Sequence, residues 1–237
     1  ISEHLIVPAP FIASGEIAFK ESTEVTLGCV DENAELFYSM GGEFQKYQSP
    51  IIIQDKATLK VYAQKDKVRS AIITTEFYKI DPNLKIKLDT KYANQYNAGG
   101  NNALIDGVTG TQDFRTGTWQ GYWNEDVIAT VDLGKSKYIS SVEMNFLRDQ
   151  RSWIFLPKSV QILSSEDGVH FEEIKLWAAP KPSQTEDVVI EKVSVRKNIK
   201  ARYIKVIAKK LGALPEWHLG YEHDGRSWIF IDEIQIK

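Results

Sequence analysis

At 237 residues the chain exceeds the roughly 100–200 residues of a single domain, and two modest domains are the simplest way to fill it. Its composition, 43% apolar and 26% charged, belongs to a folded soluble chain and excludes a disordered one. A formal charge of -3, from 29 basic and 32 acidic residues, lacks the basic excess that a phosphate backbone demands, so nucleic acid is not an expected partner.

No apolar run approaches the ~20 residues of a transmembrane helix. The opening residues, Ile1-Ser2-Glu3-His4, lack the basic and apolar regions of a leader, so the chain reads as a piece of a longer protein. Its one cysteine, Cys29, excludes an intrachain disulfide and any cysteine-based zinc cluster.

Helix signals are scarce. Short apolar or alternating runs recur at roughly 8–12-residue spacing with turns between them, which predicts an all-β fold. The first runs fall at residues 24–29, 35–39, 57–63 and 70–77 and suit a small antiparallel sandwich. Gly41-Gly42 and Ser49-Pro50 punctuate them as turns. The pattern breaks at Ile80-Asp81-Pro82-Asn83, where Pro82 disfavours helix in its predecessor, and a boundary is placed there: residues 1–80 and 81–237. The first part has 8 basic and 11 acidic residues, the second 21 of each.

Strands in the second part are expected at residues 127–133, 139–146, 159–164, 188–195, 203–208 and 229–236, a number that suits a two-sheet jelly roll. All six tryptophans, at 119, 123, 153, 177, 217 and 228, lie in this part. One pentapeptide occurs twice, as Arg151-Ser152-Trp153-Ile154-Phe155 and as Arg226-Ser227-Trp228-Ile229-Phe230. The period of 75 residues is too long for a solenoid, and the copies read as two similar loop-to-strand junctions, a chance repeat being the other possibility.

Asn102-Ala103-Leu104-Ile105-Asp106-Gly107-Val108-Thr109-Gly110-Thr111, Trp119, Val131-Asp132-Leu133-Gly134, Ile162-Leu163-Ser164-Ser165-Glu166-Asp167-Gly168, Ala201-Arg202-Tyr203-Ile204-Lys205-Val206 and Asp232-Glu233-Ile234 occur in this order. Together they resemble the discoidin, or coagulation-factor 5/8 type C, domain over about residues 84–237. Trp119-Gln120-Gly121-Tyr122, Trp153-Ile154-Phe155-Leu156-Pro157 and Trp217-His218 look like the version attached to bacterial chitobiase-like β-hexosaminidases. Glu35-Leu36-Phe37-Tyr38-Ser39-Met40-Gly41-Gly42, Tyr47-Gln48-Ser49-Pro50-Ile51 and Thr58-Leu59-Lys60-Val61-Tyr62-Ala63 resemble the immunoglobulin-like C-terminal domain of those enzymes. They depart from it at Ser39-Met40, where that family usually has Thr and Asp before the glycine. The resemblance implies an immunoglobulin-like β-sandwich followed by a galactose-binding-like jelly roll.

A hard cation such as calcium takes 6–8 oxygen ligands, and the loop around Asp106 offers a carboxylate, a hydroxyl and carbonyls wrapped by Gly107 and Gly110. By resemblance, the family's structural cation site maps onto the Ala103 carbonyl, Asp106, the Val108 carbonyl, Thr111, the Asp232 carbonyl and Glu233. Without that pattern, Asp106 would read as a turn residue and Glu233 as a solvated side chain.

Sugar sites present a flat ring to a pyranose face and a few polar groups to its hydroxyls. Arg148-Asp149-Gln150-Arg151-Ser152-Trp153, Pro215-Glu216-Trp217-His218 and Tyr122-Trp123-Asn124-Glu125-Asp126 carry that mixture. The candidate sugar-binding residues are therefore Trp153, Trp217, His218, Arg151 and Trp123; Trp119, Trp177 and Trp228 read as packing.

Catalysis finds no footing. Glycoside hydrolysis needs two carboxylates facing each other across a sugar, and neighbours such as Glu172-Glu173, Glu125-Asp126 and Asp232-Glu233 point to opposite faces of a strand. The ~250 residues of a (β/α)₈ barrel are absent. His4, His170, His218 and His223 show no metal spacing, Cys29 reads as a packed thiol, and neither a Gly-x-Ser-x-Gly elbow nor a phosphate-cradling loop occurs.

The resemblance implies a non-catalytic, glycan-targeting and spacer region of a secreted, periplasmic or cell-surface bacterial glycoside hydrolase. Its partners would be a glycan containing N-acetylhexosamine or galactose and a catalytic domain elsewhere in the same chain. A purely structural buttress and adhesion to a protein or membrane surface are the alternatives. Exposed Trp153 and Trp217 would favour binding.

Overall fold

The computed structural model describes residues 6–237, so the reading of residues 1–4 lies outside the described residues. The chain divides into two compact units, Ile1–Asp81 and Pro82–Lys237.

The first unit contains β1 (Phe11–Ser14), β2 (Ala18–Phe19), β3 (Thr23–Gly28), β4 (Glu35–Ser39), β5 (Gln45–Lys46), β6 (Ile51–Ile53), β7 (Ala57–Lys65), β8 (Val68–Arg69) and β9 (Ile73–Lys79). One sheet runs β1-β3-β6 and the other β2-β9-β7-β4-β5, with β8 on β7. Alternation decides which residues enter the core. In β3 the side chains of Thr23, Val25 and Leu27 are buried and Glu24 between them is exposed. Val25 and Leu27 meet Leu59, Val61 and Phe77 from the other sheet, with Phe19, Ile51 and Ile53, in one hydrophobic core.

The second unit contains β10 (Lys85–Leu88), β11 (Gln120–Trp123), β12 (Val127–Arg148), β13 (Ser159–Ser165), β14 (Glu172–Ala178), β15 (Val189–Lys209), β16 (Trp228–Ile231) and β17 (Gln235–Ile236). The order is β11-β16-β12-β15-β13-β14, with β10 and β17 also paired to β12.

β12 and β15 are each one long element where the sequence suggests two strands. Both bend at a corner where the register shifts between Asp132 and Lys137. Asp132 builds that corner. It accepts two hydrogen bonds from the Arg202 guanidinium, at 2.9 and 3.0 Å, and one from the backbone of Gly134, whose φ of +79° is glycine territory. Beyond the bend the same strand returns to the same core: Val127, Ala129 and Val131 precede the corner, Val142, Met144 and Phe146 follow it, and all six enter one cluster with Val160, Ile204 and Ile231. Two bent strands wrapped around a single core make a jelly roll out of one hydrogen-bonded sheet.

Candidate functional site

Three loops converge in the second unit. The first is the 3-10 turn Gln150–Ser152, which follows β12. Asp149 and Ile154 exchange backbone hydrogen bonds across it, at 3.1 and 3.0 Å. The Ser152 hydroxyl donates to the Asp149 carboxylate at 2.7 Å. The loop leaves through Trp153 at a φ of +64°, a left-handed conformation that a bulky side chain rarely adopts and that surrounding contacts must hold.

The second loop, residues 214–225, closes on itself. Leu214 is buried and its N–H donates to the Gly225 carbonyl at the neck. His218 fastens this loop to the first. Its Nε2 donates to the Gln150 carbonyl at 2.8 Å and its Nδ1 accepts from the Gly220 N–H at 3.0 Å, an arrangement that fits the Nε2–H tautomer. Both ring nitrogens are thus used by backbone, which leaves the ring itself for contact. Gly220 is needed here, because a Cβ would lie 2.8 Å from Leu214 and 3.1 Å from the Trp153 ring.

The third loop follows β11. Asn124 is also left-handed, with a φ of +52°, and its N–H donates to the Ser227 carbonyl. The Lys210 ammonium caps the Asn124 carbonyl at 2.7 Å, while Asp126 takes both Lys209 and the Lys210 N–H.

These loops assemble a row of rings. Trp123 lies 4.8 Å from Trp228 and stacks at 6.3 Å on Trp153. Trp153 meets His223 at 6.1 Å and the edge of His218 at 5.7 Å. Phe155 and His218 carry the row to Trp217. Four of the five candidate sugar-binding residues, Trp123, Trp153, Trp217 and His218, therefore share one row. Arg151 sits exposed at its margin, 3.8 Å from the Asp149 carboxylate. Trp217, 37% exposed, is the most accessible of the six indoles; Trp123 and Trp153 are partly buried by their neighbours. His223 is a member that sequence reasoning missed, since nothing in its spacing links it to Trp153.

Trp119 and Trp177 stand outside the row. Trp119, 1% exposed, donates from its indole nitrogen to the Thr111 carbonyl at 2.7 Å and lies flat on Gly110, where a Cβ would be 2.1 Å away. Trp177 packs on the main core. Trp228 packs on the Trp119, Leu147, Ile154 and Phe230 cluster and also touches Trp123.

The residues mapped onto a cation site lie elsewhere in the unit. Asp106, Asp232 and Glu233 are all buried. Asp232 is spent on protein donors, accepting from Gly110, Asn145 and Glu233 backbone and from the Asn145 amide. Glu233 is not satisfied in this way: its buried Oε2 has no hydrogen-bond partner. Burial pushes the Asp106 carboxyl up to about 7 and the Glu233 carboxyl up to about 8; the like charge of Asp232 adds to both shifts, and that of Asp106 adds to the shift of Glu233. Ala103 and Val108 lie in the same segment, and Leu104 ties it to the last strand by accepting from Ile234 N–H at 2.8 Å. Thr111 is exposed, its hydroxyl bonded to Asp113 and Thr116. Among the described residues no group of three or more His, Cys, Asp or Glu side chains is placed to hold a metal, so an ion here would draw on two carboxylates and backbone carbonyls.

The sequence pattern of the F5/8 type C domain matches residues 88–234, well over half of the chain. The chain belongs to this family. Among solved structures, this F5/8 type C chain is similar to a carbohydrate-binding module, CBM32-1, of a family 31 glycoside hydrolase from Clostridium perfringens, 18% identical over 66% of this chain and 95% of that one, with a TM-score of 0.40. It is similar at the same identity and TM-score to the C-terminal domain of a chitobiase from Bacteroides fragilis, over 66% and 93%. The family 32 module of NanJ from C. perfringens, in complex with galactose, is 19% identical over 65% and 93%, again at 0.40. No curated protein matches the chain.

Proposed function

We propose that the F5/8 type C unit binds glycan at the aromatic row and that the chain serves as a non-catalytic accessory region of a secreted, periplasmic or cell-surface glycoside hydrolase of the β-hexosaminidase kind. The observation that carries this reading is Trp217, an accessible indole at the end of a ring row whose His218 is held at both ring nitrogens by backbone. A pyranose face packs on such a ring, and Arg151 and Glu216 beside the row can meet hydroxyls. The first unit, with two sheets around one core, would be the immunoglobulin-like spacer towards a catalytic domain elsewhere in the protein. Holding a weak site close to a polymeric substrate raises the effective concentration of the enzyme there. Titration calorimetry with galactose- and N-acetylhexosamine-terminated oligosaccharides tests it: saturable binding, lost in Trp217→Ala with an unchanged melting temperature, is expected, and absence of binding to a glycan array by the folded chain would reject it.

A second reading has one observation in its favour. Leu219, 89% exposed, stands two residues beyond Trp217, an apolar tip of the sort that enters a membrane or protein surface. Co-sedimentation with liposomes, lost in Leu219→Ser, would support that reading in place of the glycan.

A structural calcium ion at Asp106 and Glu233, with the Ala103, Val108 and Asp232 carbonyls and Thr111, is part of the same proposal. The orphaned Glu233 Oε2 and two buried carboxyls with raised pKa are groups that a bound cation would satisfy. The ion would fasten the segment after β10 to the last strands. Without the ion the folded state binds more protons than the unfolded state between about pH 4 and 8, so stability falls as pH rises through that window. Calcium keeps both groups ionised and reverses that loss. Melting curves should show calcium raising Tm strongly at pH 8 and weakly at pH 5; curves that ignore calcium and chelator at both pH values would sink the site.

A further inference from the structure

A groove of about 400 Å³ touches the aromatic row only through Gln150 and Phe155. It gathers the end of β12 at Arg148, the approach to β13 at Lys158, the end of β14 at Ala178 and the irregular stretch that follows it. Its walls are apolar: Phe155, Leu156, Leu211 and the Pro180 and Pro182 rings.

That wall is fixed before any ligand arrives. The buried side-chain amide of Gln150 donates to the Ser183 carbonyl at 2.9 Å and accepts from the Thr185 N–H at 3.0 Å. Ala179 N–H donates to the Lys158 carbonyl at 3.1 Å. Two prolines add rings that lock φ.

The charges in the groove are one-sided. Arg148, Lys158 and Lys181 line it, and no Asp or Glu does. None of the three is in an ion pair among the described residues, and the buried Nε of Arg148 has no hydrogen-bond partner. Asp149, next in the chain, takes the Ser152 hydroxyl on Oδ2 and lies 3.8 Å from Arg151, its buried Oδ1 having no hydrogen-bond partner; as neighbours on an extended backbone, Arg148 and Asp149 project to opposite sides. A partly buried guanidinium without an anion over apolar walls is rare in proteins, where buried donors are nearly always paired.

From this we infer that the groove is a second subsite, for a carboxylate-bearing saccharide unit such as a uronic or sialic acid. The planar fork of Arg148 suits a carboxylate, the two ammonium groups hold it by charge, and the proline and Phe155 walls suit the apolar face of a pyranose. The choice of a saccharide as the carrier rests on the glycan-binding reading; the preference for a carboxylate rests on the groove alone.

The test uses the whole chain and amide chemical shifts. Methyl glucuronide and N-acetylneuraminic acid are titrated beside methyl glucoside and galactose. The acidic sugars should shift the amides of Arg148, Lys158 and Lys181 and bind at least tenfold more tightly there than neutral ones, and added salt should weaken them. Arg148→Gln should remove that tenfold preference; if this variant does not fold, Lys158→Ala with Lys181→Ala should reduce it. Trp217→Ala should weaken neutral glycan at the aromatic row while the acidic sugar still binds in the groove. Equal affinity for acidic and neutral sugars, or no shifts at these three residues, overturns the subsite even if the aromatic row binds glycan. Binding of glutamate-rich peptide here with no response to either acidic sugar overturns the saccharide assignment.

Discussion

The pentapeptide Arg-Ser-Trp-Ile-Phe occurs at residues 151–155 and 226–230, and the two copies lie side by side. Trp228 N–H donates to the Trp153 carbonyl, Phe155 N–H donates to the Trp228 carbonyl, and Ile154 bridges Trp228 in parallel. The isoleucines and phenylalanines are buried alike in both copies. The tryptophans part company. Trp228 enters β16 extended and packs between Tyr96 and Phe230, part of the framework. Trp153 is left-handed at the end of a 3-10 turn and turns its ring among Trp123, His218 and His223. Identical residues therefore carry different duties, set by a single backbone region that the surrounding loops impose.

The largest effect belongs to the shared framework: Phe230→Ala and Phe155→Ala should each cost about 3–5 kcal/mol in chemical denaturation, because both rings are fully buried. If one of the two is tolerated, the copies are less alike below the surface than their burial implies. Next come the tryptophans. Trp228→Ala should cost about 2–4 kcal/mol, and Trp153→Ala clearly less, since its ring lies in the loop row and outside the buried cluster that holds Trp228; the left-handed strain stays with the alanine Cβ. Equal losses would erase the distinction between framework and site. The smallest effects fall on the arginines. Arg151→Ala and Arg226→Ala should each change stability by no more than ~0.5 kcal/mol, as exposed side chains do, and only Arg151→Ala should weaken glycan in calorimetry.

The all-β class was legible from alternation alone, and β4 starts and ends where its five-residue run does. What alternation could not show is that residues 127–133 and 139–146 belong to one strand. The corner between them is made by Arg202, some seventy residues away, and a distant guanidinium leaves no local signature. The strand read at residues 229–236 is interrupted at Asp232, whose side chain serves Gly110 and Asn145, again a long-range demand. The indoles of the candidate site announced themselves as aromatic residues beside charge. The His223 contact with Trp153 and the cationic groove did not, because each is created by loops that meet only in the folded chain.

The proximity of three indoles has an optical consequence. Trp123 stands between Trp153 and Trp228 at 6.3 and 4.8 Å, close enough for their electronic transitions to couple. Coupled chromophores in a fixed, chiral arrangement give paired circular dichroism bands of opposite sign, and those bands vanish when the rings separate. The loops thus report their own assembly without a label: loss of the couplet ahead of the main unfolding transition would time the opening of the ring row independently of the core.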